Sequence, residues 1–223
     1  MVTAERTDGA TFTDDRAAEL IRRLHIAYPD ARCSLDYADA FQLLVATILS
    51  AQCTDERVNM VTPALFARYP TPETMAHAST EDIEALIKST GFYRNKAKSI
   101  LGAARKIVQE FGGTVPRTMV ELLTVPGAAR KTANVVLSNA YDIVEGIAVD
   151  THVGRLAGRL GLSAEATPEK IEQDLMRVLA REEWRFTNHA LIAHGRAICQ
   201  ARKPNCAACM LVDICPTGLN QQA

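Results

Sequence analysis

Charge of one sign is missing as a signature of this chain. Its 25 lysines and arginines meet 26 aspartates and glutamates, leaving a net charge of −1. No global basic excess announces a polyanion-binding surface, so any such surface must be a local patch. A membrane-spanning run is missing too. The longest apolar stretch, Leu43 to Leu49, is interrupted by Thr47 and falls far short of the ~18 residues a spanning helix needs. The first residues carry Glu5, Arg6 and Asp8 and no apolar run, so no secretory leader is expected. These absences lead to the expectation of a soluble, cytoplasmic protein. Nor is there a sustained alternation of apolar and polar residues, which would mark a sheet. The expected fold class is all-α.

What is present is helical periodicity. Ala17, Leu20, Ile21, Leu24 and Tyr28 recur at steps of three and four, predicting a helix from Asp14 to Tyr28. Phe41 to Ala51 is apolar nearly all round and is the candidate central core helix. A helix from Asp55 to Tyr69 contains Pro63, which should kink or break it. Thr71-Pro72 and Ser79 open two short helices, and Thr167-Pro168 caps a later one. A long basic helix from Asn95 to Phe111 is stopped by Gly112-Gly113, and Trp184 to Ile198 forms the last long one.

The stretch from Leu123 to Leu137 carries the first chemistry. Pro126-Gly127 separates two apolar helical segments so closely that only a tight interhelical turn fits. Gly127 should take positive φ in a type II-like turn, and the second helix should start near Ala128. Ala129 would then be its first or second residue, with negative φ and its methyl group towards any phosphate meeting the free amides. Lys131 falls in the first turn of that helix. The positive end of the helix dipole disfavours an ammonium there, and a neutral amine is a nucleophile. The plain alternative is a solvated surface lysine beside Arg130.

Six cysteines divide unevenly. Cys33 and Cys53 stand alone and read as small buried hydrophobes. Cys199, Cys206, Cys209 and Cys215 crowd within 17 residues, a metal-binding pattern in a cytoplasmic chain. Their spacing leaves both an iron–sulfur cluster and a zinc ion open. Arg202 and Lys203 lie between the first two, on a loop that suits a phosphate backbone or simply solvates the protein. Asp150 is placed to cap the helix carrying Val153, Leu156, Ala157 and Leu160, and a carboxylate held ionised there can also serve catalysis. Lys88, Arg94, Lys96, Lys98, Arg105 and Lys106 form an acid-free run that predicts one basic face. Gly91-Phe92-Tyr93 within it sets two aromatics at a turn, either buried or offered for insertion between bases.

These segments together resemble one family. VPGAARKTANVVL resembles the helix–hairpin–helix of the endonuclease III family of DNA glycosylases, and AVDTHVGRL resembles its catalytic-aspartate motif. The Cys199–Cys215 tail looks like its [4Fe–4S] loop, and LLVATILSAQCTD and GFYRNKA look like further family segments. The resemblance runs from about residue 15 to 216. It implies two helical domains with a DNA-binding groove between them: a six-helix block over 34–146, and a cluster domain of 1–33 plus 147–223. It implies a bifunctional glycosylase and AP lyase of base excision repair, acting on double-stranded DNA with oxidised pyrimidines or abasic sites. Lys131 would be the nucleophile, Asp150 its catalytic partner, and the four tail cysteines the cluster ligands. Gln52 and Phe92 would fill the space of the extruded base. Gly127, Ala129 and Arg130 in the hairpin, with Arg202 and Lys203, would hold phosphates. A nucleoid-associated monomer is expected. Two departures stand out: Phe92 where the family commonly has leucine, and Ala129 where it usually has a second glycine.

Overall fold

A computed structural model describes residues 14–222; the leader argument from Glu5, Arg6 and Asp8 lies outside them. All regular structure among the described residues is helical. The chain divides into two compact units, one of Arg32–Ala148 and one of the segment up to Ala31 together with Val149 onward.

The Arg32–Ala148 unit is built around α2 (Ala40–Leu49). Eight of its ten residues are buried, from Phe41 to Leu49 with only Gln42 left out. A helix apolar on every side must be surrounded, and each fully buried leucine contributes about 1.5–3 kcal/mol. Asp39 caps it, accepting from the Gln42 amide. α3 (Asp55–Arg68) continues through Pro63, so of the expected kink or break the break does not occur. Pro63 lies on the exposed side of the helix, where water can satisfy the carbonyl that its ring leaves without a donor. α4 (Pro72–Ala76) opens on a capping box between Thr71 and Thr74, and α5 (Thr80–Ile87) on Ser79. A single 3₁₀ turn, Lys88–Thr90, leads to α6 (Tyr93–Phe111). Gly112 and Gly113, both at positive φ, stop it. α7 (Met119–Leu122) and α8 (Arg130–Ala140) complete this unit.

The second unit holds α1 (Asp14–Ala27), α9 (Thr151–Leu160), α10 (Pro168–Val178), α11 (Trp184–Ala197) and α12 (Pro216–Gln222). α10 starts after Thr167 as expected, but the Thr167 side chain makes no capping bond. α9 packs on α11 through small residues. A Cβ on Gly195 would lie 2.9 Å from His152 Nδ1 and 3.0 Å from Arg155 Nη2, so any larger residue would displace those side chains. Arginines pin α1 to the tail: Arg16 Nε donates to Ile214 O at 2.9 Å, and Arg23 to Met210 O at 2.6 Å. α12 had no sequence signal, lying beyond the last periodic segment.

Candidate active site and cysteine loop

The hairpin forms as the residues dictate. Ala128 N donates to Val125 O at 3.0 Å, closing a four-residue turn with Pro126 second and Gly127 third. Gly127 has φ +81°, the left-handed position of a type II turn. A Cβ there would also sit 3.0 Å from Ser99 Cβ and 3.1 Å from Ile48 Cδ1. Glycine is therefore required by conformation and by space. α8 starts at Arg130, later than the expected Ala128, and Ala129 is its N-cap with φ −75° and ψ 171°. One extended residue is needed to swing the chain from the turn onto the helix axis. Ala129 has no strain, and no side chain caps this helix end. The Ala129 methyl group can accept from none of the first-turn amides. Lys131, second in the helix, is exposed, and Arg130 beside it is half-buried.

Three exposed residues of the same unit are left-handed without being glycine, Asp142 at φ +58° and two that carry sequence expectations. Gln52, beyond the end of α2, has φ +52°, and Phe92, the residue before α6, has φ +47°. Each costs of order 1–2 kcal/mol relative to an ordinary backbone, so the surroundings must hold it. Phe92 is 65% exposed, whereas Tyr93 packs on the core. Cys33 and Cys53 are half-buried against that core rather than fully enclosed.

The run of six cations is not one basic face. Lys96 is only 5% exposed and donates its ammonium to the carbonyls of Leu49 and Thr90, both at 2.8 Å. Lys106 pairs with Glu110, and Arg105 Nε bonds Ala76 O. The helical period of 3.6 sends a continuous run of cations to every side of α6, including the buried one.

In the other unit Asp150 caps α9. Its Oδ1 accepts from the His152 and Val153 amides, each at 2.8 Å, and the residue is half-buried. Burial pushes the His152 imidazole below its ordinary range, while the Asp150 charge works against that. Behind the cap, Arg155 Nη2 bonds His152 Nδ1 at 3.1 Å, Gly195 O at 3.1 Å and Cys199 O at 3.0 Å. One turn on, Arg159 donates to Cys199 Sγ at 3.2 Å, Gln200 O at 2.8 Å and Ala201 O at 2.7 Å. The helix that carries Asp150 is thereby tied to the start of the cysteine loop. Sequence reasoning passed over both arginines. Their spacing of four among small residues, VGRLAGRL, was the available signal.

All four tail cysteines line one small cavity, walled by Leu156, Ile198 and Val212. Leu211 N points at Cys209 Sγ and Gly218 N at Cys215 Sγ, both at 3.4 Å. His194 Nε2 is 3.4 Å from Cys209 Sγ, and its Nδ1 meets the Tyr28 hydroxyl at 2.9 Å. Burial pushes the Cys209 and Cys215 thiols above their ordinary range. A metal centre binding there must therefore displace protons. Soft donors, an apolar wall and N–H groups aimed at sulfur fit a cluster held by four thiolates. Arg202 and Lys203 are exposed on the loop between Cys199 and Cys206, which Asn205 N closes on Ile198 O at 2.9 Å.

The HhH-GPD superfamily of base excision DNA repair proteins matches residues 45–181. An endonuclease III of Synechocystis sp. is 58% identical over 203 residues, which span 91% of this chain and 93% of that relative. An endonuclease III of Bacillus subtilis is 46% identical over 192 residues, spanning 86% and 87% of the two. Among solved structures, a trapped endonuclease III–DNA covalent intermediate superposes with a TM-score of 0.90 at 40% identity, covering 95% of this chain and 99% of that one.

Proposed function

Because this chain belongs to the endonuclease III family within the HhH-GPD superfamily of base excision DNA repair proteins, we propose how its own residues divide the work of a DNA glycosylase and AP lyase. The substrate is double-stranded DNA carrying an oxidised pyrimidine or an abasic site. The observation that carries the assignment is Lys131: an exposed amine in the first turn of a helix whose N-terminus no side chain caps. Such a helix end receives a phosphate, and the amine beside it stands next to the sugar.

The damaged nucleotide leaves the stack, which exposes C1′ of its sugar. Its base departs with the glycosidic electron pair as positive charge develops on the sugar. The Asp150 carboxylate, oriented by the two amides it accepts from, stabilises that charge. The Lys131 amine then bonds to C1′. Opening of the sugar ring leaves a Schiff base, which acidifies the C2′ hydrogen. Loss of that proton expels the 3′ phosphate, and hydrolysis returns the lysine. No oxidant or reductant is consumed. Gln52 and Phe92 occupy the space that the extruded base vacates, and Gly127, Ala129, Arg130, Arg202 and Lys203 hold the flanking phosphates.

Cys199, Cys206, Cys209 and Cys215 would hold a [4Fe–4S] cluster with one thiolate for each iron, and its contribution would be structural. Four irons and no stoichiometric zinc in protein purified without oxygen is the expected composition.

The test is reduction with borohydride during turnover on a duplex with one abasic site. A covalent protein–DNA product is expected, with the adduct on the peptide containing Lys131. Trapping at another residue, or none at all, overturns the assignment.

A further inference from the structure

We propose that Lys96 is a positioning residue that locks the Gln52 and Phe92 tips into one rigid wedge for the DNA stack, a role that rests on the glycosylase reading above. Its ammonium is buried and donates at 2.8 Å to both Leu49 O and Thr90 O. Leu49 is the last residue of α2, three before Gln52, and Thr90 ends the 3₁₀ turn, two before Phe92. The Lys96 backbone amide also donates to Phe92 O, at 3.1 Å. One side chain therefore joins the bases of two separate loops whose tips are both left-handed.

The chemistry suits a lysine at this point. An ammonium is a compact donor with three N–H directions, so it can serve carbonyls approaching from two segments. It sits at the negative end of α2, where a cation is favoured. Burying a charge is nevertheless unfavourable, and an apolar side chain would fill the same space without that penalty. A cation here makes sense if the separation and orientation of the two tips matter. Extruding a base breaks its stacking and pairing, and a wedge already ordered loses no further freedom on entering the gap. An abasic nucleotide has no base to unstack, so it depends less on the wedge.

The test compares wild type, Lys96→Met and Lys96→Arg on two duplexes, one with a single thymine glycol and one with a single abasic site. Lys96→Met is expected to slow base release about 10–50-fold while cleavage of the abasic duplex stays within about twofold. Lys96→Arg, which can still donate to both carbonyls, is expected to stay within about threefold on both. In a Gln52→Ala, Phe92→Ala background, Lys96→Met should have little further effect, because it acts through those tips. Parallel loss on both duplexes in Lys96→Met marks a merely structural role and overturns the proposal. So does an undiminished rate, or a full additional loss in the double-alanine background. Should Lys96→Met not fold, a parallel loss on both duplexes in a folded Lys96→Arg overturns it as well. Failure of the glycosylase reading itself would show separately, as a wild-type protein that cleaves neither duplex.

Discussion

Two helix N-termini in this protein are finished in opposite ways. α9 is closed from within: Asp150 Oδ1 takes two of its first amides at 2.8 Å. α8 is left open: its cap residue is Ala129, whose methyl group accepts nothing. An N-cap oxygen is worth about 1 kcal/mol, so an alanine there is a standing loss of stability. The closed end satisfies two of its own amides with a carboxylate, and in the proposed function the open end offers its amides to a phosphate.

The sharpest way to break that contrast is to remove the amine at the open end. Lys131→Gln should reduce the borohydride-trapped adduct to background while lesion binding, measured by anisotropy, survives, because the phosphate contacts are made by others. A wild-type rate of adduct formation would move the nucleophile elsewhere. At the closed end, Asp150→Asn should slow base release about 10²–10⁴-fold with little change in thermal stability, since asparagine caps as well as aspartate. A large fall in melting temperature would instead assign Asp150 to the fold alone.

The units differ also in acid response. His189 is buried in the unit that contains α11, and burial, aided by Arg185, pushes its pKa down to about 4. His77, in the Arg32–Ala148 unit, is exposed. The unfolded chain takes up a proton at position 189 below about pH 6.5, and the folded one does so only near pH 4. The contribution of His189 to stability should therefore be level above pH 6.5 and fall by roughly 3 kcal/mol between there and pH 4. Trp184, the only tryptophan, lies in the same unit and reports it in urea titrations. His194, also pushed down to about 4 by burial, adds a second such contribution, so His189→Gln should lessen the slope by about half; an unchanged slope would place the acid sensitivity elsewhere.

The smallest expected effect returns to the open helix end. Ala129→Gly should tighten DNA binding several-fold at fixed salt, with or without a lesion, since a phosphate contact carries no base information. That corresponds to about 0.5–1 kcal/mol, one neutral hydrogen bond. Ala129→Asp should do the reverse, capping the helix while repelling phosphate. Equal affinity in all three proteins would mean that no phosphate comes near this residue.

Much of this site is legible in sequence because its parts are local. A type II turn needs only Pro126-Gly127, a cap needs only Asp150 and its next three residues, and four crowded cysteines lie close whatever the rest of the chain does. Helix α2 announced its burial by being apolar all round. Long-range contacts were not legible. Charge periodicity on α6 could not reveal that Lys96 points inward, because the carbonyls that accept its protons come from Leu49 and Thr90. Nor could it tell that Arg155 and Arg159 reach the cysteine loop some forty residues on. Residue type and spacing decide what the backbone does over one or two turns. Only the packed chain decides which distant polar groups meet, because a buried donor must find its acceptor wherever the fold brings one.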